Sequence, residues 1–340
     1  MYAGTRAHPS LDSLDHADRA LADGVLARQP RAVAKAITLI ESTRRDHNAR
    51  AERLLEALLP HTGSSYRIGI SGTPGAGKST FIEAFGLFLT GRGHRVAVLA
   101  VDPSSALSGG SILGDKTRME RLACDPNAFI RPSPSGGTLG GVAHKTREAL
   151  AICEAAGFDV VLVETVGVGQ SETAVAGITD LFVLLALPNA GDDLQAIKRG
   201  IIELVDLVLV NKSDIDLNAA ELARAQLAGA FSLVHGRDRW WTPPVLKVSA
   251  ATGAGIDLFW KEAERYRANA TANGAFTARR QRQALTWMNA IVEHELRRQF
   301  QQHPAVRAEL GKVEAAVSSG AMTAPVAAAR LLALAGREAR

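Results

Sequence analysis

Apolar residues recur at helical spacing through residues 11–59. Leu11, Leu14, Ala17, Leu21 and Val25 lie on one face, Pro30 interrupts, and Val33, Ile37 and Ile40 resume the pattern. Leu54, Leu55, Leu58 and Leu59 close this stretch before Pro60 and Gly63. The rhythm then changes to short continuous apolar runs: RIGIS (67–71), RVAVLAV (95–101), DVVLVE (159–164), LFVLLAL (181–187), LVLVN (207–211) and VLKVS (245–249). Helical patterns or long loops separate them. Such runs, alternating with helices, predict an α/β fold with a mostly parallel sheet covered by helices on both faces. Two stretches, 102–115 and 132–141, are too long and too rich in glycine and serine for simple turns. Long loops at a parallel sheet's carboxyl edge are usually functional. From Thr277 onward the pattern is helical again, through Leu285, Met288, Ile291 and Val292, then Val306, Leu310 and Val313, then Val326, Leu331 and Leu332, with breaks at Pro304 and Gly320. The expected organisation is an N-terminal helical extension (1–62), a central α/β domain (63–272) and a C-terminal helical segment (273–340). That last segment either caps the sheet or serves as a dimerisation arm.

Composition narrows the function classes. The chain has 340 residues and 46% hydrophobic content, enough for a sizeable core. Its formal charge is only +4, and the cations alternate with acids, so no nucleic-acid footprint is expected. Aromatic content of 5% leaves little for a base-stacking platform. The two cysteines, Cys124 and Cys153, form no CxxC pair, and a reducing cytoplasm is the expected location. No apolar run approaches membrane-span length and MYAGTRAHPS has no signal-like apolar core, so neither membrane insertion nor export is expected.

The segment after the first apolar run carries the clearest chemistry. Gly72, Thr73, Pro74, Gly75, Ala76, Gly77, Lys78 and Ser79 match G-x-x-x-x-G-K-[ST], and Thr80 follows as a further candidate. Glycines let successive backbone N–H groups turn into one concavity at a helix start, where the helix dipole also favours an anion. Lys78 is placed to reach the β- and γ-phosphates of a nucleotide, and the Ser79 hydroxyl to ligate Mg²⁺. The run before it and the helical pattern after it supply the context that the motif needs.

Asn211, Lys212 and Asp214 form an N-K-x-D pattern after LVLV. A carboxylate at Asp214 accepts two N–H bonds from guanine, whereas adenine presents a lone pair there and leaves the acid unpaired. The alternative is an ordinary helix N-cap at Asp214 or Asp216. Ser249, Ala250 and Ala251 follow VLKV and offer a backbone N–H to guanine O6. Together these segments favour GTP and GDP over adenine nucleotides.

Asp102 ends the second strand run and Glu164 the next, so both fall at the carboxyl edge beside the phosphates, where hard oxygens suit Mg²⁺. Asp115 is a third candidate. Gly167, in Glu164-Thr-Val-Gly167, stands where many GTPases have the glycine that senses the γ-phosphate. Ras-type enzymes place a water-orienting glutamine next; here that position is Val168, with Gln170 out of register. Slow intrinsic hydrolysis, completed by a partner or a dimer contact, is therefore expected. Lys198, in NAGDDLQAIKRG, is a candidate stabiliser of developing charge.

The strings GTPGAGKST, VDPSS, GGSILGDKTRM, RPSPSGGTLGG, ETVGVGQSE, NAGDDLQAIKRG and NKSD, with the tail WMNAIVEHEL and HPAVRAEL, occur in the order seen in the MeaB/MMAA/ArgK family of P-loop GTPases, which residues 65–340 resemble. The resemblance implies a GTPase chaperone of an adenosylcobalamin-dependent acyl-CoA mutase, chiefly methylmalonyl-CoA mutase. It also implies gated cobalamin loading by an adenosyltransferase, removal of damaged cofactor, and a homodimer joined through the C-terminal helices. It places nucleotide-sensing switches at 102–118, 133–143 and 187–198, and puts Asp102, Asp115, Glu164 and Lys198 on functional positions. A nickel-insertion metallochaperone, a kinase using the same loop and a signal-recognition GTPase are competing readings. The scattered histidines, the lack of an identifiable acceptor pocket and the four methionines, respectively, weigh against them.

Overall fold

A computed structural model of the chain describes residues 11–42, 44–101, 119–131, 139–165, 171–188, 199–235 and 240–336. Its strands are β1 (Tyr66–Gly72), β2 (Val96–Val101), β3 (Ala128–Arg131), β4 (Val160–Thr165), β5 (Leu181–Ala186), β6 (Leu207–Val210) and β7 (Val245–Lys247). They form one sheet in the order β3-β2-β4-β1-β5-β6-β7, and each neighbouring pair is parallel. The strand order reverses direction at β1, which lies between β4 and β5. In an open parallel sheet that switch point leaves a crevice beyond the strands' carboxyl ends.

The alternating side chains of the strands feed two apolar layers. Val160 and Leu162 of β4 join Ile68 and Ile70 of β1 beneath helices Lys78–Thr90 and Ile256–Ala272. There Phe85 meets Phe81 and Phe259 with ring centroids 5.8 and 4.9 Å apart. Val161 and Val163 point the other way, into a layer shared with helices Pro30–Glu41, Arg45–Leu58, Leu139–Ala155 and Leu217–His235. The N-terminal helices are thus part of the cover of this face: Val33, Ile37, Ile40, Leu54 and Leu58 are all buried in it. Truncating one such side chain to Ala costs about 2–5 kcal/mol.

Continuous apolar runs mark every strand except β3. AFIR is a four-residue edge strand paired only with β2, and it is mostly half-buried, so it needs no unbroken apolar run. β6 and β7 end one and two residues before the predicted runs do; the Asn211 and Val248 N–H groups still bond to Ala186 O and Val210 O, while the Ser249 N–H turns into its own loop, to Ala254 O.

At the opposite edge, a polar network fixes the strand starts. Glu154 accepts from both Nε and Nη2 of Arg67 at 2.9 Å, from Ser65 Oγ and from the Gly63 N–H. Asp180 and Asp206, just ahead of β5 and β6, pair with Arg280 and Arg279. The chain divides into two compact units, one through Arg280 and one from Gln281. In the second, Val306 and Val313 of helix Pro304–Ser318 and Ala327 of helix Ala324–Ala335 are buried, while Leu285, Met288, Val292 and Leu296 are exposed. No helix among the described residues is long and apolar enough to cross a membrane.

Candidate functional site: a nucleotide pocket at the switch point

The loop from Gly72 to Lys78 leaves β1 at the switch point and runs directly into helix Lys78–Thr90. Glycine is required at its ends. A Cβ on Gly72 would run into the Leu185 carbonyl oxygen. Gly77 has φ +84°, and a Cβ there would lie 2.7 Å from Asn211 Nδ2. Ala76 N–H donates to Thr73 O at 3.1 Å, and the first helical bond runs from Phe81 N–H to Gly77 O. The N–H groups of Gly75, Gly77, Lys78, Ser79 and Thr80 therefore have no acceptor among the described residues. Unpaired donors converging on a helix N-terminus suit a polyphosphate. Thr73 Oγ1 is likewise buried without a hydrogen-bond partner.

Lys78 is 8% exposed. Its Nζ donates to Gly72 O at 2.8 Å and Thr73 O at 3.2 Å, holding the ammonium inside the loop. Burial lowers its pKa, and the carboxylates of Glu164 and Glu172 oppose that shift. Ser79 Oγ donates to Glu164 Oε1 at 3.0 Å. Glu164 sits on β4, cross-paired with Ile70 of β1, which brings the acid to the first turn of the loop helix. The next residue, Thr165, donates its hydroxyl to Ser71 Oγ at 3.0 Å, a buried link between the carboxyl ends of β4 and β1. A hydroxyl and a carboxylate so placed are the donor set a hard divalent cation selects, so the residues present fit Mg²⁺.

The side that carries the N-K-x-D residues is built around Asn211, which is 1% exposed. Its Nδ2 donates to Ala76 O at 2.8 Å and its Oδ1 accepts from Ala250 N–H at 3.1 Å. One amide thereby joins the phosphate loop to the Ser249–Ala251 turn. Val248 N–H donates to Val210 O and Ser213 N–H to Val248 O, continuing the strand ladder into both turns. Lys212 takes a left-handed backbone, φ +59°, and its Cε lies 3.9 Å from the point a Cβ on Gly77 would occupy. Asp216 caps helix Leu217–His235, accepting from Asn218 and Ala219 N–H. Asp214 is exposed and bonded to no other described residue. Because Ala250 N–H serves Asn211, Ala251 N–H is the donor of that turn with no acceptor among the described residues.

The structure thus gathers Gly72, Thr73, Pro74, Gly75, Ala76, Gly77, Lys78, Ser79, Thr80, Glu164, Asn211, Lys212, Asp214, Ser249, Ala250 and Ala251 at one edge of the sheet. Asp102, Asp115, Gly167 and Lys198 lie outside the described residues, as do Val168 and Gln170. Three contributors do not stand out in the sequence. Ser71 and Thr165 are hydroxyls inside strand runs, visible only through their pairing, and Glu172 is a buried acid whose charge reaches Lys78.

Comparisons with known proteins point the same way. A family described as methylmalonyl Co-A mutase-associated GTPase MeaB matches residues 33–305. A Caulobacter vibrioides protein described as a putative GTPase is 54% identical over 96% of this chain and 98% of its own. The mouse mitochondrial methylmalonic aciduria type A homolog is 47% identical over 91% of this chain and 77% of its own. The crystal structure of a LAO/AO transport system kinase superposes with a TM-score of 0.75 at 35% identity, covering 94% of this chain and 97% of that one.

Proposed function

The chain belongs to the MeaB family of methylmalonyl Co-A mutase-associated GTPases, and on that premise we propose that it hydrolyses GTP as the chaperone of an adenosylcobalamin-dependent acyl-CoA mutase, methylmalonyl-CoA mutase first among them. In this role its nucleotide cycle gates cobalamin loading, protection and reactivation, together with a cobalamin adenosyltransferase. It works in the cytoplasm as a homodimer, with the second compact unit supplying the dimer contact. The observation that carries the GTPase part is the Asn211 bridge, which locks a phosphate loop and a guanine-reading turn into one pocket.

The residues divide the work. Main-chain N–H groups from Gly75 to Thr80 receive the phosphates, and Lys78 turns from the loop's own carbonyls to phosphate oxygens. Asp214 accepts the guanine N–H groups, and Ala251 offers O6 a donor. Ser79 and Glu164 hold Mg²⁺, which when bound neutralises charge on the phosphate oxygens. Asp102 and Asp115 add carboxylates to that cation, Gly167 senses the γ-phosphate and Lys198 stabilises developing charge; these four assignments rest on sequence position. Phosphate release from GTP and from ATP, with and without a cobalamin-dependent mutase, tests the proposal. Slow GTP turnover stimulated by the mutase is expected. Equal turnover of ATP would contradict the guanine assignment, and GTP turnover unmoved by the mutase would contradict the chaperone role alone.

A further inference from the structure

Two non-glycine residues among those described have positive φ: Lys212, in the nucleotide pocket, and Arg28, φ +64°, far from it in sequence. Arg28 follows helix His16–Leu26. Its N–H donates to Val25 O and Gln29 N–H donates to Gly24 O, the paired bonds of a Schellman helix end. The left-handed position of that motif is usually glycine, because any Cβ costs about 1–2 kcal/mol there. Helix Leu139–Ala155 ends in the same way, with Gly157 at φ +73°. The two helix ends abut. A Cβ on Gly157 would lie 3.2 Å from Arg28 Nε and 3.3 Å from Arg95 Nη1, so two guanidiniums crowd one point.

No partner among the described residues accounts for the second of these cations. The carbonyls of the Gly157 helix end are already served by Arg95, whose Nη1 donates to Ala156 O at 2.8 Å and Gly157 O at 3.3 Å while its guanidinium lies over the Phe158 ring. The nearby acid, Asp159, accepts from the Arg95 N–H and pairs with His94 Nδ1. Arg28 is exposed, and its guanidinium has no hydrogen-bond or acidic partner among the described residues. Its charge works against Arg95, whose pKa is lowered by burial and then by Arg28. A strained backbone kept for a side chain that meets a like charge is a locally unfavourable choice, and such choices collect at functional sites.

We propose that Arg28 and Arg95 form an oxyanion site for a phosphate group, at the strand-start edge of the sheet and separate from the nucleotide pocket. Two guanidiniums packed side by side against Gly157, that of Arg28 exposed, match the several oxygens and double charge of a phosphate better than one carboxylate. An anion there turns the Arg28–Arg95 repulsion into a shared contact.

The full-length chain, saturated with GDP so that the phosphate loop is filled, is melted in inorganic phosphate and in chloride at equal ionic strength. Arg28→Gly and Arg28→Met are compared with the unaltered protein. Phosphate should raise the midpoint of the unaltered protein by about 2 °C or more beyond the rise that both variants share. In chloride, Arg28→Gly should be at least as stable as the unaltered protein, because glycine relieves the left-handed strain. An equal phosphate effect on all three proteins would overturn the site. So would Arg28→Gly melting several degrees lower in chloride, since Arg28 would then be serving the fold.

Discussion

Ser79 Oγ and Glu164 Oε1 are hydrogen-bonded at 3.0 Å, although they lie on different elements, the loop helix and β4. The contact holds a carboxylate against the first turn of the helix that ends the phosphate loop. Glu164→Gln keeps the volume and an acceptor but removes the charge. The expected outcome is a fall in GTP turnover of at least about tenfold and a rise in the Mg²⁺ concentration needed for half-maximal rate. GDP binding measured without Mg²⁺ should stay within about twofold. A Mg²⁺ titration of turnover, run beside a GDP titration, checks both.

Asn211→Ala removes two hydrogen bonds and leaves Ala76 O and Ala250 N–H in the interior. Each unsatisfied group costs about 1–3 kcal/mol. The variant should melt earlier and bind GDP more weakly at temperatures where it remains folded. Differential scanning and calorimetric titration read the two effects separately.

Asp214→Asn should leave the melting midpoint nearly unchanged, because the carboxylate is exposed and bonded to no other described residue. Base preference should move instead. An amide donates where the carboxylate accepted, which suits the 2-oxo group of xanthine. A shift of about 10–100-fold from GDP toward xanthosine diphosphate is expected in competition binding. An unmoved preference would leave Asp214 without a reading role.

Much of this was legible in the sequence, and the limits have physical causes. β1, its glycine loop and a helix beginning at Lys78 all show, because the phosphate loop imposes local demands: bare glycines, a lysine and a hydroxyl at set offsets. N-K-x-D shows as a pattern, and of the two acids in that turn it is Asp216 that caps the helix. Long-range partnership does not show. That Asn211 would hold Ala76, or that Thr165 would bond Ser71, depends on sheet order, which periodicity does not encode. β3 escapes notice because an edge strand needs little apolar content. Arg28 breaks a backbone rule that only φ reveals.

Stability should depend on pH through Glu154. Burial pushes its carboxyl up, but the Arg67 pair, Ser65 and the Gly63 N–H outweigh burial and hold it below the usual range. A depressed folded value means that the contribution is fully present above the unfolded pKa, about 4.3, and is lost as pH falls through the folded value. Glu154→Gln leaves Arg67 facing a neutral partner and should lose about 3–5 kcal/mol at pH 7. The gap between the two proteins should narrow as the pH is taken below about 4. Midpoints of both proteins across pH 3–7 test this, and a constant gap would contradict it.

The central claim is a pocket in which main-chain amides and Lys78 grip phosphates while Asp214 selects guanine. Calorimetric titration of the full chain with GDP and with ADP, repeated on Lys78→Ala, tests it most directly. The account predicts micromolar or tighter GDP binding, far weaker ADP binding and loss of tight GDP binding in the variant. Equal affinity for the two nucleotides, or undiminished GDP affinity in Lys78→Ala, would contradict it.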